Sequence, residues 1–332
     1  MTRNHYSPEL SVLIEAAKLA QQRQASWLKP SPTVRSKKIE NLWFKCEQFQ
    51  RTGSFKIRGA LNKIASIRGD GCTAIEVITA SSGNHGIACA QAGLWFGANV
   101  TVVLPMAADA EKVRKLQDLG ANILTFGDEA GQSEAWAREA APSRNAMYVS
   151  PYNDWDIVAG QATIGLELLE QVPLDRPLNI FVATGGGGLI AGIAAVLKAN
   201  VPEVNIWMVS AANSCAMHKS LIAKRIVDVE HLDTFAEGIS GGIDSDTITF
   251  ELCQALVDGL VLCTEDEILA AYRDLACSDG LLVEGAAALA YAGFLKKKSA
   301  LSTESTSIVV LCGGNIDHSA IFQVVQSQCG AR

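Results

Sequence analysis

The chain has 332 residues, 48% of them hydrophobic and 19% charged, with a formal net charge of −7. This globular composition, with enough residues for one large or two medium domains, excludes a disordered chain and a basic nucleic-acid binder. No apolar run approaches the ~18 residues needed to span a bilayer, and the first residues lack the apolar stretch of a signal peptide.

Nine scattered cysteines without a C-x-x-C pair suit a reduced, cytoplasmic chain rather than a disulfide or zinc framework. The five histidines have no metal-ligand spacing, so no metal site is expected. Short β-rich runs alternate with stretches of helical period. Strands are expected at 76–80, 99–104, 122–126, 147–150, 179–184, 205–211, 260–263 and 307–312. Helices are expected at 110–119, 132–141, 157–171 and 189–200. Thr264 followed by Glu267 has the form of a capping box, which starts a further helix running to about residue 277. Nearly continuous apolar strands separated by helices imply an α/β fold of doubly wound, mostly parallel open sheets. So many strands imply two such sheets. Ligands of these folds sit at the carboxyl ends of strands, on loops leading into helices.

Four loops carry candidate chemistry. Gly185, Gly186, Gly187 and Gly188 follow a strand and open a helix. Successive glycines lose much backbone entropy on folding, and in return let a row of N–H groups approach an anion at the positive end of a helix. A phosphate is the natural guest. A dinucleotide is not, because the G-x-G-x-x-G register fails at Ile190 and Ala191, and the Walker lysine is absent. Ser81-Ser82-Gly83-Asn84-His85-Gly86 is a second strand-to-helix loop, whose hydroxyls, amide and N–H groups suit a carboxylate better than simple capping explains. Cys312-Gly313-Gly314-Asn315 ends the last strong strand and alone is only a turn signal. Lys56 lies between Phe55 and Ile57, where desolvation would make it a Schiff-base nucleophile, yet spacing alone does not choose it over Lys45 or Lys63.

Together and in this order, these loops resemble fold-type II pyridoxal-phosphate enzymes of the serine/threonine dehydratase and serine racemase group. The matching stretches are Gly53 to Ala60, Ser81 to Gly86, Ile157 to Thr163, Thr184 to Leu189, Leu282 to Ala286 and Cys312 to Asn315. The resemblance implies that pyridoxal 5′-phosphate is carried by Lys56, which also takes the Cα proton of the substrate. It implies that Phe55 packs on the cofactor ring, Asn84 bonds its 3′-oxygen, and Gly185 to Gly188 hold its phosphate. Ser81, Ser82, Asn84 and His85 would receive the amino-acid substrate, with Ser82 in the place of the racemase acid–base serine. Cys312 would face the pyridine nitrogen. A thiol cannot keep that nitrogen protonated as an aspartate would, which favours loss of a β-leaving group over transamination. The implied division is a discontinuous large domain, 1–74 with 154–332, and a small substrate-side domain, 75–153. A homodimer or higher homo-oligomer is also implied.

The expected reaction is dehydration of L-threonine, L-serine or a related 3-hydroxy amino acid to a 2-oxo acid and ammonia. A racemase with side dehydratase activity, motivated by Ser82, is the alternative. A cysteine-synthase-type replacement enzyme and a non-catalytic phosphate-ligand sensor are less favoured. Ser210 and Ala216 stand where many relatives have acidic cation ligands, so that cation site is expected to be lost. The chain ends soon after Cys329, leaving no room for a regulatory domain, so a catabolic role without isoleucine feedback is expected.

Overall fold

Two mostly parallel sheets place the four loops around one cavity. The computed structural model describes residues 8–69 and 76–316. Its strands are β1 Thr33–Arg35, β2 Leu42–Cys46, β3 Glu76–Ala80, β4 Asn99–Leu104, β5 Asn122–Thr125, β6 Met147–Tyr148, β7 Leu178–Ala183, β8 Val204–Ala211, β9 Gly259–Cys263 and β10 Thr306–Leu311. The helices are α1 Pro8–Gln24, α2 Lys56–Gly69, α3 Asn84–Phe96, α4 Ala110–Asp118, α5 Ala130–Ser143 and α6 Trp155–Gln171. They continue with α7 Gly188–Asn200, α8 Ala216–Ala223, α9 Ile248–Leu256, α10 Glu265–Asp274 and α11 Gly285–Lys297.

The first sheet runs β1-β2-β10-β7-β8-β9 and is parallel except where β1 meets β2. The second runs β5-β4-β3-β6 and is wholly parallel. Both strand orders reverse internally, at β10 beside β7 and at β3 beside β6, and such switch points open crevices at the carboxyl ends of strands. β7 and β10 are buried at every position, which is why they read as unbroken apolar runs with no alternation. The largest core packs α6, α7 and α11 on the first sheet. A separate cluster joins α2 and α3 to one face of the second sheet, and a smaller one lies under α5 on its other face.

The expected strands are all present within two residues of their expected bounds. The capping box is formed: Thr264 Oγ1 accepts from Glu267 N, and Glu267 Oε2 accepts from Thr264 N. Its helix stops at Asp274, earlier than expected, and continues as a π-helical turn, Leu275–Asp279. β1, β2, α1, α2, α8, α9 and α11 are present beyond the elements expected from the sequence. Residues 317–332, and with them the expectation drawn from the chain end near Cys329, lie outside the described residues. Among the described residues no helix is long and apolar enough to cross a membrane.

Candidate active site

The ends of β3, β7 and β10 open on one cavity of about 1110 Å³, which Lys56, Ser82, Asn84, the four glycines and Cys312 all line. Sequence spans of more than 250 residues meet there because the switch points put those three strand ends side by side.

At the end of β7 the tetraglycine loop is shaped by what crowds it. A Cβ on Gly186 would fall 2.3 Å from Cγ of Tyr152, and one on Gly185 2.7 Å from the carbonyl oxygen of Ile239. Gly187 has φ +87°, a left-handed conformation that side chains rarely adopt. It caps α7 without any side-chain hydrogen bond, so the first-turn N–H groups are left for a ligand. That is an anion cradle.

The end of β3 gives a second uncapped helix start, because Gly83 caps α3 with no side chain bonded to its amides. Gly86 is needed there, since a Cβ would sit 2.0 Å from the Ser81 carbonyl oxygen. Ser81 Oγ accepts from Gly83 N at 3.2 Å, while the Ser82 hydroxyl has no partner among the described residues. His85 behaves differently from the other loop residues. Its ring is buried, and burial pushes its pKa down to about 3. Neutral at ordinary pH, it is 3.0 Å from the Val149 carbonyl, to which Nε2–H donates. His85 lines the cavity from the first turn of α3, with its imidazole tied to the Val149 carbonyl.

Three lysines were equal on spacing, and the structure separates them. Lys45 is fully buried and pairs with Glu167 at 2.5 Å. Lys63 pairs with Asp154 at 2.7 Å and Asp156 at 3.2 Å. Only Lys56, at the start of α2, turns its amine into the cavity, where Nζ donates to the Pro151 carbonyl at 2.7 Å. Desolvation lowers its pKa to about 8, against the opposing charge of Glu134. The Phe55 ring centroid lies 5.2 Å from Nζ, and Phe55 N donates to the Cys312 carbonyl at 2.9 Å, tying the lysine loop to β10.

Two residues beyond Lys56, Arg58 anchors the same helix in a buried quartet. It donates to Glu47 at 2.7 and 2.8 Å and to Glu167 at 2.6 and 2.8 Å. Lys45 completes the charge balance, and Ser31 bonds Glu47. Although burial works against the charge, the two carboxylates hold the Arg58 guanidinium above its ordinary pKa.

At the end of β10, Cys312 is buried, and burial together with Glu284 raises its thiol well above the ordinary range. It remains a thiol. Its Sγ is 3.7 Å from Oε1 of Glu284, and Asn84 Nδ2 donates to Glu284 Oε1 at 3.0 Å and Oε2 at 2.9 Å. Asn84 Oδ1 in turn accepts from Asn315 Nδ2 at 2.6 Å. Glu284 itself is buried, and desolvation raises its pKa.

Residues 26–313 match the model of a family described as pyridoxal-phosphate dependent enzymes. The chain belongs to this family. It is 40% identical over 288 residues, covering 86% of its own length and 70% of the relative's, to an L-threonine ammonia-lyase of Geobacter sulfurreducens. It is 33% identical to the catabolic L-threonine dehydratase of Escherichia coli strain K12, covering 96% of this chain and 98% of that one. Among solved structures, maize serine racemase superposes with a TM-score of 0.86 at 29% identity, covering 96% of this chain and 98% of the other. The cofactor is pyridoxal phosphate.

The cavity fits that group on its own terms. A monophosphate suits the uncapped start of α7, where any side chain would fill the cradle, and an aldehyde suits an amine with a pKa of about 8. Ser210 and Ala216 lie at the end of β8 and the start of α8, and no metal-binding group of acids, histidines or cysteines occurs among the described residues. None of the acids that line the cavity is marked by a motif of its own. Glu284 lay inside a matched stretch, but Glu134 carried no signal beyond one acid in an amphipathic helix.

Proposed function

We propose that this enzyme dehydrates L-threonine, L-serine or a related 3-hydroxy amino acid to a 2-oxo acid and ammonia. The observation that carries the reading is one desolvated amine, Lys56, between two uncapped helix starts, one suited to a phosphate and the other to a carboxylate. Gly185 to Gly188 would hold the cofactor phosphate, Phe55 would lie beside the ring, and Cys312 would meet its nitrogen end as a neutral thiol. Asn84, oriented by Glu284 and Asn315, supplies a side-chain donor to the ring edge. When bound, the cofactor withdraws electrons from the substrate Cα.

The chain's own groups do the rest. Ser81, Ser82 and the N–H groups of Asn84 and His85 bind the substrate carboxylate and fix the Cα beside Lys56. The neutral Nζ of Lys56, accessible near neutral pH because of its lowered pKa, accepts the Cα proton. The C–O bond then breaks as the Cα electron pair forms a double bond, the 3-hydroxyl takes up a proton and leaves as water, and hydrolysis of the released enamine gives the oxo acid and ammonia. A racemase is the second reading, supported by the partnerless hydroxyl of Ser82.

The deciding experiment is a panel of hydroxy amino acids scored for oxo acid and ammonia, with chiral chromatography of the serine reaction. D-serine in excess of pyruvate would replace the first reading by the second. Lys56→Ala should abolish turnover and the visible absorbance of the bound cofactor while leaving far-UV circular dichroism unchanged; surviving turnover removes Lys56 from its role. The reading extends to a cytoplasmic homodimer or higher homo-oligomer. Support for the compartment comes from the cysteines, all free among the described residues. Sedimentation equilibrium tests the assembly.

A further inference from the structure

Glu134 is a cavity carboxylate that none of these roles uses. It stands on α5, the helix packed on β3 and β4, and so faces Lys56 from the second sheet. Its Oε1 accepts a hydrogen bond from Tyr148 OH at 2.9 Å, which fixes the side chain, and Oε2 has no hydrogen-bond or ion-pair partner among the described residues. The neighbouring cation is already taken, because Arg138 pairs with Asp244 at 2.5 Å.

Among the described residues, the other positive charges lining the cavity are solvent-exposed or paired. Arg51 is exposed and sits over the Trp95 ring, while the half-exposed Lys112 and Lys115 pair with Glu237 and Glu111. With the cofactor on Lys56, no cation among the described residues is left inside the cavity for a substrate side chain. The cavity offers Glu134. A substrate whose carboxylate lies at the start of α3, and whose Cα lies at Lys56, has one arm left to place, its side chain.

We propose that Glu134 is a specificity-determining residue that accepts a hydrogen bond from the side-chain hydroxyl of the substrate and excludes amino acids carrying a side-chain carboxylate. This deepens the dehydratase reading and rests on it for the identity of the hydroxyl. Burial raises the pKa of Glu134, but once it is ionised, two carboxylates within about 10 Å of each other at an effective dielectric constant of about 20 repel enough to cost at least roughly 10-fold in binding. A lost hydrogen bond to a charged acceptor costs roughly 10-fold.

The test compares the holoenzyme with Glu134→Gln and Glu134→Leu on L-threonine and L-threo-3-hydroxyaspartate. The unsubstituted enzyme should turn over threonine and reject hydroxyaspartate. Glu134→Gln, which keeps an acceptor and loses the charge, should shift the ratio of kcat/KM toward hydroxyaspartate at least ~10-fold. Glu134→Leu should in addition lower threonine kcat/KM. Binding of L-aspartate and L-alanine, which carry no 3-hydroxyl, is followed by the change in the cofactor spectrum. L-aspartate should bind Glu134→Gln at least ~10-fold more tightly than the unsubstituted enzyme, with L-alanine unchanged. Thermal unfolding of each holoenzyme checks that the variants fold, and Tyr148→Phe, which keeps the charge, should still reject L-aspartate. Unchanged discrimination in Glu134→Gln overturns the proposal. If no hydroxy amino acid yields oxo acid and ammonia, the dehydratase reading fails separately, and the contrast between L-aspartate and L-alanine still decides whether Glu134 repels a side-chain carboxylate.

Discussion

At the scale of single residues, what distinguishes Lys56 from the other lysines is its proton. A solvated lysine keeps its proton to about pH 10.4. Burial lowers the pKa of Lys56 to about 8, and a nucleophilic amine must be neutral. Capture of pyridoxal phosphate by the apoenzyme should therefore accelerate about tenfold per pH unit and level off near pH 8. Stopped-flow absorbance across pH 6–10 measures it, and a rate still climbing above pH 9.5 would contradict the desolvated state. The linkage has the matching sign. Between pH 8 and about 10.4 the unfolded chain binds a proton that the folded apoenzyme has lost, so this group makes the apoenzyme more stable as pH rises through that window. Because Glu134 is the leading charge that opposes the lowering, Glu134→Gln should move the midpoint of cofactor capture below pH 8. The sequence did name Lys56, but only through the ordered resemblance. Lys45 and Lys63 were excluded by carboxylates far away in the chain, Glu167 and Asp154, and no local pattern reveals such partners.

At the scale of elements, the tetraglycine loop was legible because backbone chemistry is written directly in residue type, whereas β2 was not. Its Lys45 interrupts an otherwise apolar strand and reads as a surface position, yet the side chain is buried in the quartet that braces α2. Breaking such a cluster by removing one member is costly, because the remaining charges stay buried. Arg58→Met leaves Glu47 and Glu167 with only Lys45 between them, and should destabilise the protein by about 3–5 kcal/mol in urea titration. A loss below ~1 kcal/mol would mean that water reaches the quartet. The glycine loop responds in another way. Gly186→Ala drives a methyl group into the face of Tyr152, whose ring is fixed in part by its hydroxyl accepting from Asp244 N at 2.8 Å. The loop must shift to accommodate the methyl, and cofactor affinity should fall at least ~10-fold, equivalent to about 1.4 kcal/mol, as measured by equilibrium dialysis.

At the scale of the whole molecule, the two sheets own different amounts of core. The first is enclosed by α6, α7 and α11 in one continuous cluster, while the second divides its apolar contacts between two smaller clusters on its two faces. The sequence told of two sheets through strand count and unbroken apolar runs. It did not tell how α2 would pack, because one helix carries Lys56 at its start and buries Ile57, Leu61 and Ile64 beside α3 and the second sheet. Local opening costs less where fewer buried apolar contacts must be broken. We therefore expect β3, β4 and β5 to exchange amide hydrogens as one cooperative group at lower free energy than β7, β8 and β10, as read by native-state exchange under increasing denaturant. The cavity spans both sheets, with the glycine loop and Cys312 at the ends of β7 and β10, and Ser82 and Glu134 on the side of β3 and α5. A ligand that binds only the joined form must stabilise the weaker partner, by an amount that grows with the logarithm of its concentration over its Kd. Adding pyridoxal phosphate and L-alanine should thus slow exchange in β3 and β4 more than in β8. Equal protection of both sheets, with and without ligand, would mean that they unfold as a single unit and that the second sheet is no freer to move than the first.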